Sequence, residues 1–221
     1  MKVLIFDTET TGIKDPAMVE ASWIELGEGV TVSPASRWTQ RYDPGKPIEC
    51  GAMATHGIMD GDLIDKPESI CFRLPEDTEY LIGHNIDFDY QVALSCGPQP
   101  QPKRICTLAL SRSLWPEADS HQLGAMLFML DRFSARKLFP EFHRSETDTE
   151  VCRLVLLHIL RMLSPDTWED LWLESERARI PTVMPYGKHK GLPIKEVPKD
   201  YRQWLLKQPD VDPYLVVALS K

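Results

Sequence analysis

Two carboxylates, Asp7 and Glu9, directly follow the apolar run from Val3 to Phe6. A continuous apolar run of this kind is typical of a buried central strand. Alternate side chains of a strand point the same way, so both carboxylates would share one face at its end. They would repel each other there unless a cation neutralised them, and Mg²⁺ prefers oxygen ligands. An isolated pair of this kind is more often a solvated turn, but its place after a buried strand favours a metal site.

A second polar cluster occupies residues 84–89 and again follows a short apolar strand. Asp87 and Asp89 compete for the role of metal ligand, and Phe88 could pack in the core or stack on a base. Such a cluster taken alone is more often a loop with capping acids than a functional site.

A third cluster, from His143 to Asp148, lies at the start of the strongest helical pattern in the chain. Acids in the first turn are favoured by the helix dipole, which is the ordinary explanation for Asp148. Histidine exchanges protons near neutral pH, so His143 could take a proton from water. A lone histidine is otherwise a surface or capping residue.

Together the three clusters resemble, in order and spacing, the three motifs of the DEDDh, DnaQ-like 3′→5′ exonuclease family. The matching segments are 7–12 (DTETTG), 84–89 (HNIDFD) and 143–148 (HRSETD). Residues 52–58 (AMATHGI) and 106–116 also resemble stretches of that family. The resemblance covers about residues 1–163.

This resemblance implies a ribonuclease H-like fold and two-metal hydrolysis of DNA from the 3′ end to 5′-mononucleotides. Asp7, Glu9, Asp89 and Asp148 would hold two Mg²⁺ ions ~4 Å apart, with Asp7 bridging, and Mn²⁺ could substitute. His143 would act as the general base beside these four catalytic acids. The predicted substrate-binding residues are Thr10, Thr11, His56, His84, Asn85, Phe88, Lys188 and Lys190. Two residues depart from the family pattern: Ile86 stands where the family usually has a small residue, and Ser145 stands where it usually has alanine.

The elements that must position these residues predict an α/β fold with a mixed five-stranded sheet flanked by helices. Strands are expected at residues 3–6, 18–26, 38–42 and 80–83, and residues 105–114 begin as a strand and continue as a helix. The first three would form an antiparallel meander. Ser120 is expected to cap a helix through Leu130, and residues 148–163 form the strongest helix, with apolar residues recurring at i+4.

The chain divides into a predicted exonuclease domain (residues 1–165), a linker with a short helix (166–181) and a small basic module (182–221). The module is expected to contain a hairpin tip at residues 186–191 and a helix capped by Asp200. It resembles a C-terminal module of one group within the same family. About 40 residues are too few for robust independent stability, so we expect the module to dock on the main domain. Its lysines are either a solvated tip or contacts to phosphates.

Bulk composition bounds the class of protein. The 221 residues carry a net charge of −8, yet residues 179–207 contain seven basic and two acidic residues. Five scattered cysteines without a Cys-x-x-Cys pair argue against disulfides and structural zinc. The apolar N-terminal run is too short for a signal peptide, and no window resembles a membrane span. We therefore expect a cytoplasmic protein. The resemblance implies that it binds DNA 3′ ends, single-stranded and in some cases double-stranded; a homodimer is compatible with the sequence.

Other activities remain open at this level. The active-site residues do not distinguish DNA from RNA, so an exoribonuclease of the same superfamily is one alternative. A polymerase proofreading subunit is another. A catalytically lapsed nucleic-acid-binding module is a third, which the presence of all four acids and the histidine disfavours.

Overall fold

A computed structural model describes residues 2–209 and 211–220 of the chain. Its core is a five-stranded sheet in the order β3-β2-β1-β4-β5. The strands are β1 (Lys2–Thr10), β2 (Met18–Leu26), β3 (Pro34–Arg41), β4 (Thr78–Gly83) and β5 (Lys103–Cys106). Strands β1, β2 and β3 pair antiparallel, whereas β4 and β5 extend the sheet in parallel from β1. The mixed five-stranded sheet and the antiparallel meander are confirmed.

Helices follow and flank the sheet. They are α1 (Cys50–His56), α2 (Ile86–Ser95), α3 (Thr107–Leu114), α4 (Leu123–Leu130), α5 (Arg132–Leu138), α6 (Ser145–Leu163), α7 (Trp168–Arg179), α8 (Lys199–Leu205) and α9 (Pro213–Leu219). Short 3₁₀ turns occur at Asp60–Leu63, Ser69–Cys71, Phe139–Glu141 and Ile194–Glu196. No helix in residues 2–209 and 211–220 is both long enough and apolar enough to cross a bilayer.

Several predicted boundaries were wrong. Strand β1 continues past Phe6 to Thr10, because Thr8 and Glu9 still pair with β2. Helix α4 begins after Gln122 rather than after Ser120, whose hydroxyl only accepts the N–H of Gln122 at 3.3 Å. Helix α8 begins after Pro198, which places Asp200 in the first turn instead of at the cap.

The alternation of side chains along β1 assigns each residue to one face of the sheet. Val3 and Ile5 lie in the larger core, which also contains the buried face of α6. Leu4 and Phe6 lie in the second core with residues of α2. Continuing the alternation places Asp7 and Glu9 on the α6 side and Thr8 on the α2 side.

The C-terminal segment has a small core of its own, formed by Met184, Ile194, Val197, Leu205, Leu215, Ala218 and Leu219. The predicted hairpin is present. The Met184 N–H donates to the Leu192 carbonyl, the Gly191 N–H donates to the Met184 carbonyl, and Val183 and Pro193 form a single bridge. Helix α9 contacts α7, because the Tyr214 hydroxyl donates to the Glu176 carboxylate at 3.0 Å. The domain limits at 165 and 182 stay predictions.

Candidate active site

Three carboxylates from two distant parts of the chain meet at the end of β1. Oxygen atoms of Asp7, Glu9 and Asp148 all lie within 4.8 Å of one another, and each residue is partly exposed. Asp7 and Glu9 project from β1 toward α6, and Asp148 projects from the first turn of α6. The alternation of β1 and the docking of α6 on that face therefore bring the acids together.

Asp89 is the fourth acid, and it reaches the site from the other side of β1. It is buried, and its Oδ1 accepts the backbone N–H of Thr8 at 3.0 Å and the Thr8 hydroxyl at 2.8 Å. The approach of α2 to β1 requires glycine at position 83, where a Cβ would lie 2.9 Å from the carbonyl oxygen of Phe6. Asp89 is close enough to Asp7 to raise the pKa of that carboxyl.

Asp87, the competing candidate, is engaged elsewhere. Its Oδ1 accepts the Arg104 Nε–H at 2.7 Å, and its second oxygen pairs with the buried Arg179. These two guanidinium groups satisfy the carboxylate, so the structure favours Asp89 over Asp87 as the acid that faces the cluster.

The electrostatics of the cluster are those of acids crowded together without a counter-ion. Burial, followed by the charges of Asp89, Asp148 and Glu9, raises the pKa of Asp7 well above its usual range. Burial and the charges of Asp148, Glu20 and Asp89 raise the pKa of Glu9 to about 8. Burial also raises the pKa of Asp89 to about 7, against the opposing hydrogen bonds from Thr8. Ionising these groups together therefore costs free energy unless positive charge is supplied.

A divalent cation fits this donor set. The three carboxylates of the cluster offer hard oxygen ligands close enough together to bind one ion. Among the residues that the structure describes, no cysteine or histidine belongs to this donor set. Positive charge at this position would offset the repulsion that, after burial, helps to raise the pKa values of Asp7, Glu9 and Asp89. The residues present thus match an oxygen-ligated Mg²⁺ or Mn²⁺ better than a thiolate or imidazole site.

His143 lies immediately before α6, in a left-handed backbone conformation with φ 62°. Histidine adopts this conformation more readily than most side chains, and it turns the chain sharply into the helix. The side chain is exposed. Burial raises the pKa of Asp148 to about 6, and the charge and backbone N–H of the nearby His143 oppose this rise. His143 is therefore accessible to solvent and close to one of the four acids.

Glu20 is a site residue that the sequence motifs did not reveal. It lies opposite Glu9 in the β1–β2 register and is 6% exposed. Its Oε1 accepts the N–H of Ser145 at 3.3 Å and the Ser145 hydroxyl at 2.8 Å, and its Oε2 accepts the Arg41 Nε–H at 2.9 Å. The Ser145 hydroxyl also lies 2.7 Å from that of Ser22. This network ties the N-terminus of α6 to β2.

The network explains the Ser145 departure, because the hydroxyl is buried and bonded where alanine would offer nothing. Ile86, the other departure, is fully buried in the second core, with its Cδ1 against Gly83. The available signal for Glu20 was an acid between Val19 and Ala21 in a strand expected to be buried.

The predicted substrate contacts on the β1 side form a compact corner. Thr10 ends β1, and Thr11 is buried, with its hydroxyl accepting the N–H of Ala17 at 3.1 Å. His56 is buried as well: its Nδ1 accepts the N–H of Ile58 at 3.0 Å, so its Nε2 must donate to the Thr10 carbonyl at 3.2 Å. His56 therefore positions the Thr10 backbone and presents no free ring nitrogen.

The predicted contacts after β4 differ in their exposure. His84 is mostly enclosed, and its Nε2 donates to the carbonyl of His121 at 2.7 Å. Burial lowers the pKa of His84 to about 4, so the ring is neutral. Asn85 is exposed with φ 75° and begins α2, and Phe88 is partly buried against the second core. Asn85 is the most exposed side chain of this group, and Phe88 keeps part of its ring accessible.

Lys188 and Lys190, the remaining predicted contacts, lie on the C-terminal hairpin and are exposed. They are not part of the carboxylate cluster.

Comparison with known proteins agrees with the fold. The chain is 28% identical over 230 residues to exodeoxyribonuclease 10 of Escherichia coli strain K12, covering 98% of this chain and 96% of that protein. It is 26% identical over 171 residues to the PolC-type DNA polymerase III of Bacillus subtilis, covering 72% of this chain but 11% of the polymerase. No family model matches the sequence.

Solved structures give the same result. A structure of exonuclease X in complex with 5′ overhanging duplex DNA superposes with a TM-score of 0.62 at 25% identity, covering 78% of this chain and 99% of that one. The zinc-bound complex of E. coli ExoI with single-stranded DNA superposes with a TM-score of 0.59 at 15% identity, over 81% of this chain and 43% of that one.

The chain is similar in fold and sequence to nucleases of the DnaQ-like class, which share its ribonuclease H-like mixed sheet, and its acidic cluster offers oxygen donors for a divalent metal. Within that class, the chain is a homologue of exodeoxyribonuclease 10 along nearly its full length.

Proposed function

We propose that this chain is a 3′→5′ exodeoxyribonuclease that uses two Mg²⁺ ions and releases 5′-mononucleotides from DNA 3′ ends. The observation that carries the proposal is the convergence of Asp7, Glu9 and Asp148 within 4.8 Å, with Asp89 beside them. The full-length similarity to exodeoxyribonuclease 10 supports DNA as the substrate.

Each residue has a distinct role in this mechanism. Asp7, Glu9, Asp89 and Asp148 would hold two divalent cations, which would supply positive charge to lower the pKa of the attacking water and to stabilise the departing 3′ oxygen. His143 accepts the proton of the water as it attacks the terminal phosphodiester. Its exposure and its position before α6 are suited to that role.

The terminal nucleotide is held by groups around the cluster. The backbone at Thr10 and Thr11, which His56 buttresses, lies at the end of β1 beside Glu9. Asn85 contributes an exposed amide, and Phe88 contributes an aromatic face at the start of α2. Base stacking on an aromatic ring tolerates any sequence, as an exonuclease that removes every nucleotide in turn requires. A homodimer and a cytoplasmic location stay predictions.

The test is hydrolysis of oligonucleotides labelled at the 5′ end, so that shortening from the 3′ end appears as a ladder. Single-stranded DNA, duplex DNA and RNA of one sequence are compared while Mg²⁺, Mn²⁺ and Ca²⁺ are titrated. We expect metal-dependent ladders on DNA and none with Asp7→Ala, which also binds Mn²⁺ more weakly. Exposed Asp119→Ala is the matched control and should be as active as the wild type. Wild-type activity of Asp7→Ala, or shortening from the 5′ end, would contradict the proposal.

A proofreading subunit is the second candidate, because the PolC-type polymerase matches 72% of this chain. In that case the chain would co-purify with a polymerase, and its activity would rise on a mismatched primer end. Activity that depends on neither favours the free exonuclease.

A further inference from the structure

A row of aromatic side chains crosses the C-terminal module, with His189 and Tyr201 partly buried and Tyr186 and Trp204 exposed. The rings of His189 and Tyr201 lie 4.6 Å apart, and those of Tyr201 and Trp204 lie 5.4 Å apart. Trp204 is 54% exposed and Tyr186 is 42% exposed. Tryptophan side chains are usually well buried, so an open indole face on an ordered row indicates a surface built to stack on a ligand.

The row depends on the hairpin lying flat against α8. Gly187 has φ 78°, and a Cβ there would lie 2.7 Å from the Tyr201 hydroxyl. Gly191 closes the tip with φ 83°, and its N–H donates to the carbonyl of Met184 at 2.8 Å. This close packing brings the two tip lysines beside the aromatic row. The module has an apolar core of its own, and Tyr201 packs against that core, which holds the aromatic row in place.

The same surface is positively charged in an acidic protein. Residues 183–209 contain six lysines and arginines and two acids, whereas the whole chain has a net charge of −8. Lys188 and Lys190 are exposed, and within the part of the chain that the structure describes neither forms an ion pair with a carboxylate. Unpaired cations beside aromatic rings that bases can stack on are the combination that binds single-stranded nucleic acid.

We propose that this surface, formed by Tyr186, Lys188, His189, Lys190, Tyr201 and Trp204, binds a single-stranded segment of nucleic acid apart from the catalytic cluster. An unpaired base stacks on Trp204, and Lys188 and Lys190 contact the adjoining phosphates. In a duplex the base faces are covered by neighbouring pairs, so stacking selects a single strand. The choice of DNA as the ligand rests on the proposed function. The assignment of the surface itself rests on its aromatic and basic residues and is independent of that function.

Binding can be measured without catalysis in the intact protein. In EDTA the four acids of the cluster have no cations through which to bind phosphate, so residual binding reports on other surfaces. The probe is a 5′-fluorescein oligothymidylate of roughly 20 nucleotides, followed by anisotropy. We expect Trp204→Ala to weaken binding about 5- to 150-fold, whereas Trp204→Phe keeps most of the affinity.

The charge contribution is tested by Lys188→Glu/Lys190→Glu, with Lys66→Glu as the matched control on another exposed surface. Each lost phosphate contact reduces the slope of log affinity against log salt by about 0.7 for a single strand. The double variant should lose affinity and salt dependence, and the control should lose neither. Thermal unfolding verifies that each variant is folded.

The outcomes separate this proposal from the proposed function. If Trp204→Ala binds the oligomer like the wild type, or if the wild type binds blunt duplex as tightly as the single-stranded oligomer, the surface assignment is wrong. If binding in EDTA depends on Trp204 but no DNA is hydrolysed with Mg²⁺, the surface stands and the exonuclease proposal fails. If DNA is hydrolysed but binding in EDTA is unchanged by substitution of both lysines and of Trp204, the exonuclease proposal stands and the surface proposal fails.

Discussion

Replacing Glu9 by glutamine should abolish hydrolysis yet stabilise the metal-free protein at alkaline pH. Glu9 ordinarily titrates at 4.5, and burial with three neighbouring acids raises its pKa to about 8. The folded protein thus holds this proton more tightly than the unfolded chain does. The stability that comes from this proton is fully present below pH 4.5 and is lost as the pH rises through about 8.

The magnitude follows from the same two values. A pKa difference of one corresponds to ~1.4 kcal/mol, so raising the pH from about 5 to about 8.5 should cost the wild type up to about 4 kcal/mol through Glu9. This is an upper limit, because Asp7, Asp89 and Asp148 share the repulsion. Glutamine has the same shape and no charge, so Glu9→Gln removes this loss and relieves its neighbours.

Urea unfolding in EDTA at the two pH values measures the effect, with exposed Glu117→Gln as the matched control. Mg²⁺ should restore wild-type stability at the higher pH, because a ligand that binds only the folded state stabilises it. It should do so far less for Glu9→Gln. The reasoning is refuted if Glu9→Gln and the wild type lose the same free energy between the two pH values, or if Mg²⁺ stabilises both equally.

Three further outcomes are expected. His143→Ala should lower kcat by ~10²–10⁴ while Mn²⁺ binding, followed by calorimetry, is unchanged; turnover like that of the wild type would remove His143 from the mechanism. Glu20→Ala should lower the free energy of unfolding by about 1–3 kcal/mol, because it leaves the N–H and hydroxyl of Ser145 without this buried acceptor, and Glu20→Gln should cost less; equal urea midpoints for both variants and the wild type would contradict this. Deleting residues 182–221 should raise KM for DNA and flatten its salt dependence, and an unchanged salt slope would count against phosphate contacts by the module.

Much of the site was predictable because local patterns encode it. The apolar run before Asp7 predicted a buried strand, and the i+4 repeat after Asp148 predicted the helix that carries it. The strand, once formed, points Asp7 and Glu9 to one face whatever surrounds it. The spacing of the three motifs then sufficed to name the class of enzyme.

Other features depend on contacts between residues far apart in the chain. Asp89 faces the cluster because it bonds to Thr8, 81 positions away, whereas Asp87 forms ion pairs with two arginines. The role of Glu20 depends on Ser145, 125 positions away. No local periodicity specifies such partners, because they are brought together only when the sheet and α6 pack.

For this protein, the sequence by itself determined the acids, the histidine and the elements that present them, since strand alternation and helix periodicity are properties of short segments. Only the tertiary structure decided which acids share the cluster and which residue bonds to the start of α6. It also decided that the basic hairpin tip lies beside a partly exposed aromatic row. Those decisions come from burial and close packing, which require the whole fold.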